Sequence, residues 1–235
     1  MPSLRQTLEG WKQQNPSLFA GLQTAISKAE GTYRGSAPGY NIMFGGGTFK
    51  DYSRHPDRVV RTPGYASAAA GAYQFMPGTW QEVASKLGLS DFSPTSQDIG
   101  MLAKARERLL PIGGLAAITK AGTLTPEIQA RLAPEWASFP TASGKSAYGQ
   151  PVKKSEQIRG WFEQAAKSTD TSAPAPAQQA STGVSTDDIL RQVAAMMQPK
   201  TVSPQDFIGD YLTQELLRPK SMLSNILPGL LSGGL

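Results

Sequence analysis

Reading back in steps of four from Glu30 gives Ile26, Leu22 and Leu18, so an apolar helical stripe ends in a carboxyl group one residue before Gly31. A helix with such a stripe must press it against other elements, and the acid at its end is carried into the same poorly hydrated surroundings. There it would lose solvation and face the partial negative charge of a helix C-terminus. Both effects favour the protonated form and suit proton donation near neutral pH. Glu30 is therefore a general-acid candidate. The same pattern also suits a solvated residue, because Glu is a good helix former and glycine commonly follows helix ends.

What else the chain lacks narrows the chemistry. It has no Cys and a single His, His55, which excludes disulfides, thiol nucleophiles, thiolate metal sites and any zinc site needing two imidazoles. No metal and no cofactor is expected, and carboxylate chemistry leads. His55 lies in the polar run Arg54-His55-Pro56-Asp57 and reads as structural. The net charge of +5 is unevenly placed: residues 1–168 hold 19 basic and 12 acidic side chains, and residues 169–235 hold 4 and 6. A basic body suits an anionic polymer. Its cations form no long run, so a bacterial wall is favoured over specific nucleic acid.

At 235 residues the chain has room for one domain with an extension, or for two small domains. Helices are expected over Leu4–Gln13, Pro16–Ala29, Pro77–Leu87, Ser96–Leu110, Thr125–Leu132 and Lys154–Lys167. Between the second and third, Tyr40 to Phe44 and Thr48 to Tyr52 bracket Gly45-Gly46-Gly47, a hairpin signal. That glycine run lacks the following Lys-Ser/Thr of a phosphate loop. Residues 169–185 are rich in Ala, Pro, Ser and Thr and read as a linker; residues 186–235 carry helical patterns around Ile189, Val193, Met196, Phe207, Tyr211 and Leu216. The division expected is a folded body over 1–168, that linker, and a helical extension too poor in apolar residues to form a core alone. Met1 to Gln14 lacks the pattern of a secretory signal. The apolar stretch from Met222 is too short and too interrupted for a membrane span.

Several segments, in this order, resemble the lambda-type phage endolysins, which are peptidoglycan lytic transglycosylases of the lysozyme superfamily. They are Glu30-Gly31-Thr32; Gly39-Tyr40 with Gly45-Gly46; Phe49 with Asp51-Tyr52-Ser53 and His55-Pro56; Gly71 with Tyr73-Gln74; Leu87-Gly88-Leu89 with Asp91-Phe92-Ser93-Pro94 and Ser96-Gln97-Asp98; Trp136-Ala137-Ser138 with Pro140; and Tyr148-Gly149-Gln150. The resemblance implies an α+β, mostly helical, lysozyme-like fold with a small β-hairpin lobe, to which this chain adds its helical C-terminal extension. It implies a saccharide cleft between the lobes, with Glu30 as the catalytic acid. Tyr40, Asp51, Tyr52, Tyr73, Gln74, Tyr148 and Gln150 become substrate-binding candidates. The run from Gly71 to Pro77 also resembles the Gly-x-x-Gln-x-x-Pro stretch of bacterial lytic transglycosylases, in which a Gln amide can both donate to and accept from a sugar. Phe75, Met76 and Trp80 beside it read as core. The chain departs from the lambda endolysin at Pro38, where that family member has His, and at Asn41, where it has an acid.

By the same resemblance, Glu30 protonates the oxygen between N-acetylmuramic acid and N-acetylglucosamine, then acts as base while the muramoyl C6 hydroxyl closes a 1,6-anhydro end. One protein carboxyl then suffices, in contrast to the usual pair. A water-using muramidase with Glu30 and Asp51 is the close alternative. A non-catalytic virion component with a lysozyme-like body is the alternative from another class. The extension, residues 186–235, is expected to dock on a virion or self-association partner. The chain would then reside in the particle, or in the host cytoplasm before release, and act on the wall from the periplasm.

Overall fold

The structure, a computed structural model, describes residues 1–62, 65–147 and 152–170. Among them, α1 (Leu4–Gln14) and α2 (Pro16–Ala29) are followed by two short antiparallel pairs, β1 (Tyr33–Arg34) with β2 (Ala37–Pro38), and β3 (Val60–Thr62) with β4 (Tyr65–Ser67). Helices α3 (Pro77–Leu87), α4 (Pro94–Leu109), α5 (Ala116–Ala121), α6 (Pro126–Leu132) and α7 (Ser155–Asp170) complete the order. The chain is mostly helical with a small β region, as the sequence leads one to expect. Residues 171–235, which carry the expected linker and extension, lie outside the described residues, and α7 runs to Asp170, two residues past the expected boundary. No helix among the described residues is long and apolar enough to cross a membrane.

The helix starts follow local chemistry. Ser3 opens α1 with a reciprocal capping box, its Oγ taking the Gln6 N–H while its own N–H reaches Gln6 Oε1 at 2.8 Å. Ser93 and Thr125 cap α4 and α6, each with Pro in the first turn. Helix α2 is the axis of the body. It buries Phe19, Leu22, Thr24, Ala25, Ile26, Ser27 and Ala29, so its buried surface is far wider than the expected stripe, and Leu18 is only half-buried. It packs chiefly against α7, which contributes the fully buried Ile158 and Phe162.

The hairpin expected between Tyr40 and Tyr52 shrinks to a single bridge, Ile42 with Thr48. Ile42, Met43 and Phe44 are buried in succession, and a 3-10 turn over Phe44–Gly46 replaces the hairpin turn. Three consecutive buried side chains cannot alternate across a sheet, so the segment dives into the core. A cluster of rings ties this lobe to the helices: Trp80 and Phe92 have centroids 4.6 Å apart, His55 and Phe92 4.8 Å, and Phe75 and Trp80 5.2 Å.

His55 is structural, as its sequence context implies. It is 7% exposed, its Nε2 lies 2.8 Å from Phe75 O, and its Nδ1 accepts the Asp57 N–H at 3.0 Å, which assigns the neutral tautomer protonated on Nε2. Burial lowers its pKa below 6.5, partly opposed by the Phe75 carbonyl and the Asp57 charge. Between the lowered folded value and 6.5 the unfolded chain binds more protons, so stability is lost as pH falls through that interval and present above it. The thermal midpoint is therefore expected to drop from pH 7.5 to pH 5.5, and to drop less in His55→Gln (test conditions at about one pH unit either side of the free imidazole value). Identical slopes in the two proteins would remove His55 from the account.

Candidate active site

Glu30 is the C-cap residue of α2 (φ −78°, ψ 0°), and the chain turns immediately after it. Gly31 adopts φ +70°, a left-handed conformation that costs an L side chain and suits glycine. Its N–H donates to Lys28 O at 3.2 Å, and the Thr32 N–H donates to Ser27 O at 2.9 Å, closing the helix with two bonds. Thr32 Oγ1 lies 3.1 Å from Ser27 O and 2.5 Å from Ala72 O, which ties the residue two places beyond Glu30 to the loop before α3. The acid therefore sits on a backbone fixed from both sides.

Its side chain is 8% exposed, and Ser138 donates its hydroxyl to Glu30 Oε1 at 2.6 Å. Ser138 is 3% exposed and comes from 108 residues further along the chain. The buried rings of Trp136 and Phe139 anchor its segment, and its carbonyl accepts the Lys153 N–H at 2.9 Å. Trp136-Ala137-Ser138 resembles the family in sequence, yet nothing in the sequence alone assigns this partner to Glu30. Asp98 is the other acid among the described buried side chains. Its two oxygens accept from Lys12, Gln23, Tyr40 and Tyr73, so its lone pairs are taken up by protein donors.

Side chains do much of the work that ladders do in larger sheets. Gln97 Nε2 donates to Tyr40 O at 2.9 Å and Phe92 O at 2.8 Å, while its Oε1 accepts the Ala72 N–H at 2.9 Å. Gly71, at φ +82°, passes so close that a Cβ there would collide with Gln97 Oε1 and sit 2.8 Å from Phe92 Cζ. The candidate residues distribute unevenly about this frame. Tyr73 is corrected from cleft to core: it is 2% exposed and gives its hydroxyl to Asp98, leaving no ring face for a sugar. Gln74, at φ +50°, is 7% exposed and donates its amide to Gly71 O at 3.0 Å and Ile42 O at 3.2 Å, which spends its donors on the loop itself. Of the residues expected beside it in the core, Phe75 and Trp80 are buried, and Met76 is half-buried.

Tyr40 is half-buried, with its hydroxyl bonded to Asp98. Tyr52 is half-buried, its ring edge-on to Phe49, and burial raises its phenol pKa. Asp51 is exposed, and its carboxylate accepts the Ser53 N–H at 2.8 Å in a local turn that lowers its pKa. Tyr148 and Gln150 lie outside the described residues. Two surface depressions, of about 450 and 680 Å³, are lined around Arg54 and Trp80 and around Arg131 and Pro140, and Glu30 lines neither. Neither is lined by a buried acid.

A helical body, a small β region and a buried carboxylate at the end of the central helix define a lysozyme-like protein. Residues 20–169 match the family model described as Endolysin, and the chain belongs to that family. It is 37% identical over 145 residues to the endolysin of Escherichia phage lambda, covering 60% of this chain and 85% of that relative. To the endolysin of Escherichia phage P2 it is 36% identical over 116 residues, covering 47% and 64%. Among solved structures it is similar to bacteriophage lambda lysozyme complexed with a chitohexasaccharide, with a TM-score of 0.54 and 31% identity over 63% of this chain and 94% of that one. A second lambda lysozyme structure gives 0.50 and 30%, over 65% and 93%.

The frame around Glu30 predicts a sharp glycine requirement at position 71. Gly71→Ala is expected to destabilise the chain by roughly 2–4 kcal/mol, from backbone strain plus overpacking against Gln97 and Phe92. Urea unfolding checks this, and a midpoint within error of the parent would refute the frame.

Proposed function

We propose that the chain degrades peptidoglycan by cleaving the β-1,4 bond between N-acetylmuramic acid and N-acetylglucosamine through lytic transglycosylation. The observation that carries this reading is the Glu30 carboxyl, 8% exposed at the fixed end of α2 and bonded to Ser138. Membership of the endolysin family supports it, as does the likeness to a lambda lysozyme complexed with a chitohexasaccharide. Glu30 gives its proton to the glycosidic oxygen as the C1–O bond breaks and positive charge gathers at C1, where the substrate acetamido group supports it. The resulting carboxylate then takes the proton of the muramoyl C6 hydroxyl as that oxygen bonds to C1. Water is not consumed. Ser138 holds the carboxyl orientation through both transfers.

Asp51 keeps a water-using muramidase as the second reading. The Ser53 N–H, first among the causes, lowers its pKa and holds it ionised, as a second carboxylate would need to be. Its exposure favours the single-carboxyl scheme, because an open carboxylate is screened by solvent. Glu30→Gln is expected to reduce the rate of glycan cleavage by roughly 10²–10⁴-fold, the usual share of a general acid. Mass spectrometry of wild-type digests should find ends lighter by one water than reducing ends. Reducing ends alone would reject transglycosylation, and full activity in Glu30→Gln would reject both schemes.

The basic body, residues 1–168, suits an anionic wall, and residues 186–235, beyond the linker at 169–185, are inferred to dock on a virion or self-association partner. The protein would then travel in the particle and open the wall during infection. Because α7 continues to Asp170, a truncation placed after that residue is the clean test. Glycan cleavage should persist while incorporation into phage particles is lost. Unchanged incorporation would sink the docking role.

A further inference from the structure

Asp98, in α4, is 5% exposed and crowded by donors. Its Oδ1 accepts the hydroxyls of Tyr40 and Tyr73, each at 2.7 Å, and Gln23 Nε2 at 3.1 Å. Its Oδ2 pairs with Lys12 Nζ at 2.6 Å. Gln23 Nε2 also reaches the Tyr40 hydroxyl at 2.6 Å, so the tip of that ring is fixed from two directions. Burial first, and then the Asp98 charge, raise the pKa of both tyrosines, which keeps them hydroxyl donors.

The backbone at Tyr40 is held as firmly as its tip. Gln97 takes its carbonyl, and the preceding Gly39 N–H donates to Thr32 O at 2.9 Å. Thr32 is two residues after Glu30, so the chain entering Tyr40 is bonded to the segment that leaves the acid. Its ring stands at a right angle to Tyr73 with centroids 6.2 Å apart, and the residue is half-buried. Lys12, from α1, lies outside residues 20–169 that match the family, and it also sits 4.3 Å from the Phe19 ring centroid.

We propose that Asp98 is a positioning residue for the glycan site: with its charge balanced by Lys12 of α1, it holds the Tyr40 ring as a fixed wall beside the segment that follows Glu30. The inference rests on the glycan-cleaving reading above and adds to it a named wall and the ion pair that sets it. A carboxylate is needed because hydrogen bonds to a charged acceptor are stronger than neutral ones, and four donors converge here. An amide in its place turns a donor toward one of them.

The test measures binding of a soluble N-acetylglucosamine hexamer by calorimetry in the full-length chain carrying Glu30→Gln, alone and with Asp98→Asn, Tyr40→Phe, Lys12→Met and the Asp98→Asn/Tyr40→Phe pair. KM and kcat are measured in the same series with Glu30 restored. Kd and KM are expected to rise roughly tenfold in Asp98→Asn, by the weight of a charged hydrogen bond. Tyr40→Phe should do the same, the pair no more than either, and Lys12→Met should move Kd in the same direction. A purely structural Asp98 would lower the melting temperature and leave Kd and KM untouched, and that result overturns the proposal. Simple addition of the two effects in the pair also overturns it. If Asp98→Asn does not fold, Lys12→Met decides, and an unchanged Kd there is a refutation. A wild-type chain that binds the hexamer without turning over glycan sinks the catalytic reading alone; one that binds none sinks this inference.

Discussion

The β region cannot hold itself together, and the rest of the structure is arranged around that constraint. Its paired strands run two or three residues, far below what gives a sheet independent stability. Their loops nevertheless carry buried N–H and C=O groups that must find partners. The partners come from a side chain of α4, from the tight end of α2 and from the loops themselves. Thr32 takes Ala72 O, Gln97 serves Tyr40 O, Phe92 O and the Ala72 N–H, Gln74 serves Gly71 O and Ile42 O, and His55 serves Phe75 O. Apart from the local Gln97–Phe92 and Gln74–Gly71 bonds, these join segments distant in sequence, so the lobe is positioned by polar clamps and by the ring cluster of His55, Phe75, Trp80 and Phe92.

This mode of support bears directly on the acid. An acid at a helix C-terminus faces the unfavourable end of the helix dipole, and one in a packed body also loses hydration. A mobile Glu would escape both by turning to solvent. Glu30 remains 8% exposed because Gly31 and Thr32 fix the exit of the chain and Ser138 holds its carboxyl from the other side. The strained and buried Gln74, at φ +50°, belongs to the same scheme, since an unfavourable backbone conformation persists only where surrounding bonds over-determine it.

Local rules made the helices and the acid legible in the sequence. Pro16 to Ala29 reads as a helix and is one, the Pro and Ser/Thr starts of later helices are where propensity puts them, and Gly31 turns the chain after Glu30 as its position suggests. The hairpin is not legible because apolar residues on both sides of glycines look alike whether they alternate across a sheet or enter a core together; Ile42, Met43 and Phe44 do the latter. Helix α5, six residues between glycines, offers too short a pattern to be read. Tyr73 read as a sugar platform because tyrosine is apolar with a polar tip, and its burial depends on Asp98, which meets the tip 25 residues later. The Ser138 hydroxyl on Glu30, and Lys12 on Asp98, are coincidences of folding between residues 108 and 86 positions apart. Spacing within the chain carries no trace of either.

The Lys12 to Asp98 pair also ties a helix outside the family match to the body within it. Residues 20–169 match the family, and α1 precedes them. It could have attached through apolar contact alone, since Leu8 is fully buried, and Trp11 donates to Thr119 Oγ1 at 3.1 Å in a contact that leaves the acid untouched. Lys12 instead reaches a carboxylate that already accepts three neutral donors on its other oxygen. Removing the cation would leave that carboxylate buried with neutral partners only, and the cost of an uncompensated buried charge far exceeds that of a lost surface contact. The helix is therefore bound electrostatically as well as by packing, and a residue outside the family segment shares in fixing Tyr40, whose preceding residue is bonded to Thr32.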